Sequence, residues 1–186
     1  MNRLHTLYLR FFYRFDYMGR GVSIAPSCEI RRAAAPYIFL GDGVQIDKDV
    51  WLNIPYEAGP FVKGRPLLQI GDRTAVGRRC FFTAMRQIHI GRDVLFGPGV
   101  LLADHSHRFE DPADPIIRQG VTEPGSIIIE DGCWFGYHSV VVTHKGREIR
   151  IGRNSVIGAN AVVTRSCPPY SVLVGNPARI LPYKKE

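Results

Sequence analysis

Hydrophobic residues recur at every sixth position along most of this chain, and the phase is kept from one stretch to the next. Residues 70–81 and 151–162 show the pattern most clearly. Each hexad opens on an aliphatic or aromatic residue, often continues with Gly, Ala or an acid, and has a small or β-branched residue at position five. A period of six is typical of a parallel β-helix, in which each hexad forms one short strand and one corner. The pattern therefore predicts an all-β solenoid.

The opening residues of the hexads fall into groups of three, and each group predicts one triangular coil. They are Met18, Ile24 and Ile30; Leu40, Ile46 and Leu52; Ile70, Val76 and Phe82; Ile90, Phe96 and Leu102; Ile129, Phe135 and Val141; and Ile151, Ile157 and Val163. We therefore expect about six coils. Residues that break the period always follow a third hexad, at 36–39, 58–69, 88–89, 108–128 and 147–150. All insertions would then leave the prism along one edge, which in repeat proteins usually marks the binding face.

Residues 1–17 follow a different pattern, with apolar side chains at helical spacing. These side chains belong to Leu4, Leu7, Tyr8, Phe11, Phe12 and Phe15. Arg10, Arg14 and Asp16 interrupt the apolar run, which fits neither a signal peptide nor a membrane span. We expect a helix that caps the first coil, or one that lies at the surface of an anionic membrane, and one helix could do both. Residues 18–186 are expected to form the β-helix domain, with an acceptor-side loop at 108–128 and a C-terminal tail at 169–186.

Composition adds a preference for an anionic partner. The 186 residues carry a formal charge of +7, and the pI is about 9.5. Anionic lipid or a phosphate-bearing cofactor such as coenzyme A would suit that charge. The arginines are spread along the chain and no nucleic-acid-binding module is recognisable, so nucleic acid is not expected as a partner.

The four cysteines favour core packing over chemistry. Cys28, Cys80, Cys133 and Cys167 all occupy position five of their hexads, where a small inward side chain fits. A buried Cys behaves as a small hydrophobe, and the chain has no CxxC pair. This interpretation predicts a reducing, cytoplasmic compartment and no metal.

The longest insertion begins just after residues 104–107, and a loop of that length in a compact domain is usually functional or disordered. His105 is at position four of its hexad, near a corner, where an imidazole could remove a proton from an acceptor. A solvated surface histidine is the alternative that the spacing leaves open. His144 holds the equivalent position one coil later and should lie about one strand spacing away, where it could bind a metal or line the acceptor cleft. Asp104 is not assigned as the partner of His105, because an adjacent residue on a corner rarely reaches its neighbour's ring.

Several motifs, taken together and in order, resemble those of the hexapeptide-repeat acetyltransferases. They are Asp-His-Ser-His at 104–107, Gln-Gly-Val-Thr at 119–122, Cys-Trp-Phe-Gly at 133–136, Ile-Gly-Ala-Asn-Ala-Val-Val-Thr-Arg at 157–165, Pro-Pro-Tyr at 168–170 and Val-Gly-Asn-Pro-Ala-Arg at 174–179. The nearest likeness is to the branch with maltose and galactoside acetyltransferases and the O-acetyltransferases of bacterial surface polysaccharides. The match covers about residues 90–181, and the earlier coils match only in period.

The resemblance implies a left-handed parallel β-helix, an exception to the usual right-handed crossover, and a homotrimer with active sites between protomers. His105 matches the catalytic histidine that deprotonates the acceptor hydroxyl. The residues that match positions along acetyl-CoA are Trp134 at the acetyl and pantetheine end, Gly136 and Ala159 beside the pantetheine arm, and Thr164, Arg165 and Arg179 near the nucleotide and its phosphate. Further candidates for contact with the acceptor are His107, Arg108, Arg118 and His144. Tyr137 and His138 depart from the small residues common in the family.

The sequence-based hypothesis is therefore an acetyl-CoA-dependent O-acetyltransferase that needs no metal. It would act by direct transfer to a hydroxyl of a cell-surface glycan intermediate or small saccharide. The acceptor could be lipid-linked, and the location would be cytoplasmic, with peripheral contact at the inner face of the membrane left open. Three alternatives remain: an N-acetyltransferase acting on an amino-sugar nucleotide, a carbonic anhydrase with zinc on His105, His138 and His144 at a protomer interface, and a non-catalytic scaffold.

Overall fold

The computed structural model describes residues 2–181, in which the hexads form strands of two to four residues. An α-helix, α1 (Asn2–Phe12), precedes them. Coils one to three contain β1 (Tyr17–Met18), β2 (Ser23–Ile24), β3 (Glu29–Ile30), β4 (Ile38–Leu40), β5 (Gln45–Ile46), β6 (Trp51–Asn53), β7 (Leu68–Ile70), β8 (Ala75–Val76) and β9 (Phe81–Thr83). Coils four to six contain β10 (Gln87–Ile90), β11 (Leu95–Phe96), β12 (Leu101–Ala103), β13 (Ser126–Ile129), β14 (Trp134–Phe135), β15 (Val140–Val142), β16 (Glu148–Ile151), β17 (Val156–Ile157) and β18 (Val162–Val163). Strands β19 (Val172–Val174) and β20 (Arg179–Leu181) follow, and short 3-10 helices at Ala35–Tyr37 and Ile116–Arg118 lie in insertions.

Equivalent strands of successive coils pair in parallel, which gives the prism three faces. Sheet A consists of β1, β4, β7, β10, β13 and β16; sheet B of β2, β5, β8, β11, β14, β17, β19 and β20; and sheet C of β3, β6, β9, β12, β15 and β18. Only the last pair differs, because β20 turns back antiparallel to β19. The predicted all-β parallel helix of about six coils is confirmed.

The opening residues of the hexads form the core. Met18 is half-buried and the others are buried, in a continuous column along the prism. Phe96 stands at its centre, with its ring centroid 5.0 Å from that of Phe82 and 4.8 Å from that of Phe135. Burial of such rings is the main favourable contribution to stability in a core of this kind.

Glycine at position two has a packing cause. A Cβ on Gly97 would lie 2.9 Å from the carbonyl oxygen of Phe135, and a Cβ on Gly136 would lie 2.7 Å from the backbone nitrogen of Ala159. Coils stack about 4.8 Å apart, so a side chain at this corner would push the next coil away. The small residues noted in the hexads therefore keep the coils in contact.

The insertions all leave the prism between a strand of sheet C and the next strand of sheet A, along the single edge that the period predicts. Their last residues extend the strands of sheet A, so the longest loop runs from 104 to 125. A bridge between His107 and Val121 closes its base, and the Gln119 side chain donates to the carbonyl oxygens of Asp111 and Asp114. The loop is thus internally bonded.

Helix α1 covers the first coil with only a small part of its surface. Thr6 Oγ1 accepts a hydrogen bond of 2.9 Å from the N–H of Ile24, and Leu9 is buried. Five of the six apolar residues expected to face the coil are instead exposed: Leu4, Leu7, Tyr8, Phe11 and Phe12 are 48–78% accessible. The sixth, Phe15, follows the helix and packs against the core. No helix within residues 2–181 is both long enough and apolar enough to cross a membrane. In the tail assigned to 169–186, β19 and β20 occupy part of 169–181, and 182–186 lie outside the described residues.

The cysteines are unpaired and mostly inside the prism. Cys80, Cys133 and Cys167 are buried and Cys28 is half-buried. Burial raises the pKa of the Cys80 and Cys133 thiols to about 11. A thiol with so high a pKa is a poor nucleophile near neutral pH.

This packing predicts slow alkylation of two thiols. At about pH 8, Cys80 and Cys133 should react with iodoacetamide at least about 100-fold more slowly in the native protein than in urea. Raising the pKa by about two units lowers the fraction of reactive thiolate about 100-fold, and burial slows the reaction further. Peptide mass spectrometry over time would measure both rates, with half-buried Cys28 as the internal comparison. Equal rates in the native and the unfolded chain would contradict the packing.

Candidate active site

His105 follows β12 at the start of the long loop, and the residue before it holds its ring. Nδ1 of His105 lies 2.7 Å from Oδ1 of Asp104, and the side chains are 12% and 0% exposed. Because a carboxylate oxygen can only accept, Nδ1 carries the proton and donates it to this bond. In the neutral ring, this tautomer has its lone pair on Nε2, which is the arrangement that a general base requires.

The sequence argument that set Asp104 aside is therefore wrong. Its side chain turns into the protein, where its oxygens accept hydrogen bonds of 2.8–2.9 Å from the backbone N–H groups of Met85, Arg86 and Gln87. These donors belong to the preceding turn of the chain, between β9 and the start of β10. The buried carboxylate is thus fully bonded, which a buried charge needs, and it fixes the orientation of the imidazole.

A pocket of about 710 Å³ opens over sheet C beside His105. Its apolar floor includes Trp51, Phe81, Leu101 and Val142. The rings of Trp51 and Phe81 stack with their centroids 4.4 Å apart and an interplanar angle of 11°. An apolar floor with a few polar groups at the edge is typical of a small-molecule site.

The structure brings together only some of the residues predicted to contact the acceptor. His107 and His144 line this pocket with His105, and the position of His144 agrees with the one-coil offset. Arg108 donates through Nε to the carbonyl oxygen of Val121, and Arg118 lies in the exposed 3-10 helix of the loop. Neither arginine lines the pocket.

The residues predicted to hold acetyl-CoA lie in other places. Trp134, which is 50% exposed, belongs to β14 of sheet B, and Gly136 and Ala159 stack on each other at the corner that follows. Thr164, Arg165 and Arg179 share a second pocket of about 230 Å³ at the C-terminal end of the prism. Within one chain, none of the residues predicted to hold acetyl-CoA therefore lines the pocket of His105.

The zinc-site alternative finds no support within one chain. His138 stands at a corner between sheets B and C, with φ of 53° and its ring stacked on Tyr137, and does not line the pocket of His105 and His144. Within residues 2–181, no group of three or more His, Cys, Asp or Glu side chains is placed to hold a metal ion.

The sequence analysis missed the aromatic floor of the pocket. Trp51 and Phe81 each stand directly before an opening residue, at positions where the strand points its side chain outward. Large aromatic residues at two successive outward positions were the available signal.

Comparison with known proteins supports the same architecture. A family model described as a hexapeptide repeat of succinyl-transferase matches residues 126–165. The chain is 30% identical over 153 residues to a probable acetyltransferase, Rv3034c, of Mycobacterium tuberculosis, a match that covers 77% of this chain and 49% of that protein. It is 28% identical over 124 residues to the putative lipopolysaccharide biosynthesis O-acetyl transferase WbbJ of Escherichia coli, covering 63% and 61%. The resemblance to hexapeptide-repeat acetyltransferases is confirmed. The chain spans about half the length of the mycobacterial relative.

A solved structure extends the comparison to the whole fold. The N-acyltransferase AntD of Bacillus cereus, in complex with dTDP and 3-hydroxybutyryl-CoA, superposes with a TM-score of 0.73 at 18% identity and covers 98% of this chain and 87% of its own. A likeness at this identity establishes the fold. The hexapeptide-repeat chain thus has the left-handed β-helix that the resemblance implied.

Gly136 lets two coils stack closely, so replacing it should lower the stability of the fold. Gly136→Ala would place a Cβ 2.7 Å from the backbone nitrogen of Ala159, so we expect a loss of about 1–3 kcal/mol in the free energy of unfolding. Urea unfolding without any ligand would measure it. Gly59→Ala is the matched control, because a Cβ there meets no atom within 4 Å. Unchanged stability of Gly136→Ala would leave contact with a ligand as the reason for this glycine.

Proposed function

We propose that this chain is an acetyl-CoA-dependent O-acetyltransferase that transfers acetyl to a sugar hydroxyl, with His105 as general base. The Asp104–His105 pair at the edge of the sheet C pocket carries the proposal. It combines a buried, fully bonded carboxylate with an imidazole whose Nδ1 faces that carboxylate and whose Nε2 is left to act on an acceptor. In the Ser-His-Asp hydrolases, a buried carboxylate orients the histidine base through a hydrogen bond of the same kind.

In the proposed reaction, Nε2 of His105 takes the proton of the acceptor hydroxyl as its oxygen attacks the thioester carbonyl carbon. The C–S bond then breaks, and the imidazolium returns its proton to the departing thiolate, so that the products are the acetyl ester and free coenzyme A. Asp104 stabilises the imidazolium between these steps. No acyl-enzyme is needed, and the buried thiols of Cys80 and Cys133 are unsuited to forming one.

Acetyl-CoA would supply the activated acetyl group, and the residues present suit its charge. Arg165 and Arg179, which share the pocket at the end of the prism, offer guanidinium groups for phosphate. Trp134 presents an exposed ring on sheet B. Because Trp134 lies on sheet B, whereas His105 follows a strand of sheet C, we propose that the site forms between protomers of a homotrimer. The free cysteines suit a cytoplasmic location.

The first test compares release of free coenzyme A from acetyl-CoA, with a panel of neutral saccharides, between the native chain and two variants. His105→Ala should lower kcat/KM by about 100-fold or more, because the general base is lost. Asp104→Asn should lower kcat while leaving the KM of acetyl-CoA unchanged, because an amide N–H facing Nδ1 favours the wrong tautomer. Amino-sugar nucleotides belong in the panel, since preferred turnover of an amine would show N-acetylation instead.

His89→Gln is the matched control for this test. His89 is half-buried on sheet A, does not line the pocket, and pairs in register with Gln69 of the neighbouring strand, so glutamine fits that face. It should retain native turnover. Native turnover in His105→Ala would rule out this base, and thermal unfolding of each variant would separate loss of chemistry from loss of fold.

We further propose that helix α1 binds an anionic membrane surface and brings the enzyme to a lipid-linked acceptor. Its exposed apolar residues include Leu4, Tyr8 and Phe11, and residues 2–15 contain arginines but no acidic residue. Apolar side chains flanked by cations are the features of an interfacial helix.

Vesicle sedimentation would test this contact. The native chain should sediment with vesicles that contain phosphatidylserine but not with neutral ones, and Leu4→Ser/Phe11→Ser should weaken binding about tenfold or more, because the lost apolar area drives insertion. Ile116→Ser/Ile117→Ser, at the exposed tip of the long loop, is the control for loss of surface apolar area. Equal binding by all three proteins would refute a role for α1.

A further inference from the structure

We propose that the pocket beside His105 binds an uncharged glycan of at least two sugar units, one of which stacks on Trp51. This inference rests on the proposed function for the reaction, but it adds a binding subsite and a class of acceptor. Trp51 would act as a specificity determinant rather than a catalytic residue.

The indole of Trp51 is a supported platform. It is 38% exposed, and Phe81, its register partner in the next strand of sheet C, stacks against it at 4.4 Å. Leu101 continues the same outward column beside Phe81. A flat aromatic surface fixed in this way suits the apolar face of a pyranose ring and loses little freedom on binding.

Polar groups stand beside the platform at fixed positions. The Asn53 side chain donates to Thr83 Oγ1 at 3.0 Å and accepts from Arg31 Nη2 at 3.3 Å, which leaves one amide N–H for a ligand. Glu57 also lines the pocket and offers carboxylate oxygens. Donors and acceptors around an apolar floor match the hydroxyl rim and the apolar face of a sugar.

The charge of the pocket argues for an uncharged ligand. Among the described residues that line it there is a carboxylate, Glu57, and no Lys or Arg, whereas Arg165 and Arg179 share the pocket at the end of the prism. The nearby Arg31 is occupied, since it donates to Asn53 and to the carbonyl oxygen of Ile54 and lies 3.9 Å from the centre of the Tyr56 ring. The described lining residues offer a phosphate group no Lys or Arg, which disfavours a sugar nucleotide at this position.

The length of the pocket sets the number of sugar units. Trp51 lies on β6, whereas His105 follows β12, two strands further along sheet C. Two strand spacings are about 9.5 Å, which is longer than one pyranose ring. A sugar that stacks on Trp51 is therefore the neighbour of the sugar whose hydroxyl meets His105. The volume of about 710 Å³ accommodates both.

Kinetics with matched acceptors would test the subsite. Trp51→Leu should raise the KM of methyl maltoside and methyl lactoside about tenfold, because stacking is lost, and leave the KM values of methyl glucoside, methyl galactoside and acetyl-CoA unchanged. Phe61→Leu is the control, because Phe61 is an exposed aromatic residue of the neighbouring loop that packs on Tyr37 and does not line the pocket. Equal effects of Trp51→Leu on one-unit and two-unit acceptors, or none on either, would overturn the proposal.

A binding measurement separates this proposal from the proposed reaction. The chain has two tryptophans, so Trp134→Phe leaves Trp51 as the only one. Methyl maltoside or methyl lactoside should change its fluorescence, and UDP-glucose should not. A fluorescence change in this variant, together with no acetyl transfer by the native chain, would support the subsite while the O-acetyltransferase function fails. Transfer without a fluorescence change would reject the subsite alone. A lower molar mass of Trp51→Leu in light scattering would also overturn it, because the ring would then be part of a contact between protomers.

Discussion

The stacking of each coil on the next is the interaction on which the rest of this structure depends. Parallel strands pair about 4.8 Å apart on all three faces, and that spacing holds only where the corners are small enough to approach, as at Gly97 and Gly136. Stacking also aligns the opening residues of the hexads, so that Phe96 packs on Phe135 inside the prism. Extra residues cannot enter such a coil without displacing its neighbours. They leave at one edge instead, and the pocket beside His105 borders that edge.

Asp104 links the stacked coils to the histidine of the candidate active site. Backbone N–H groups of Met85, Arg86 and Gln87, one coil earlier, hold the carboxylate, and the carboxylate holds the imidazole of His105. A carboxylate with no exposed surface would be costly without those donors. The orientation of the histidine thus depends on the correct stacking of two coils. A substitution that changes the conformation of the short turn between β9 and β10 should therefore alter the orientation of His105, although this turn contacts His105 only through Asp104.

The sequence predicted the features that repeat and missed those that depend on one local turn. The period of six located the coils, their opening residues and the insertion edge, because each is a consequence of a strand and a corner recurring at fixed length. Asp104 is set aside in the sequence analysis because an adjacent residue on a corner rarely reaches its neighbour's ring. Only the conformation of the preceding turn shows that its side chain points inward. Helical spacing in residues 1–17 predicted a helix, but it could not tell that Thr6 and Leu9 would face the coil while Phe11 faces outward. The hexad pattern does not predict Trp51, because it specifies the residues that point into the core and not those that point outward.

The positions of the charged residues within one chain bear on whether protomers must associate. The pocket of His105 has no Lys or Arg among its described lining residues. The arginines suited to phosphate lie at the end of the prism, and Trp134 lies on sheet B. In the proposed reaction, a thioester must lie within bonding distance of the hydroxyl that His105 would activate. The outer faces of sheet B and sheet C in one chain point in different directions, because both sheets pack their inner faces on the same hydrophobic core. A second copy that presents its sheet B side to this pocket would bring the two halves together. In the proposed reaction, association of protomers would therefore be a condition for catalysis rather than an addition to stability.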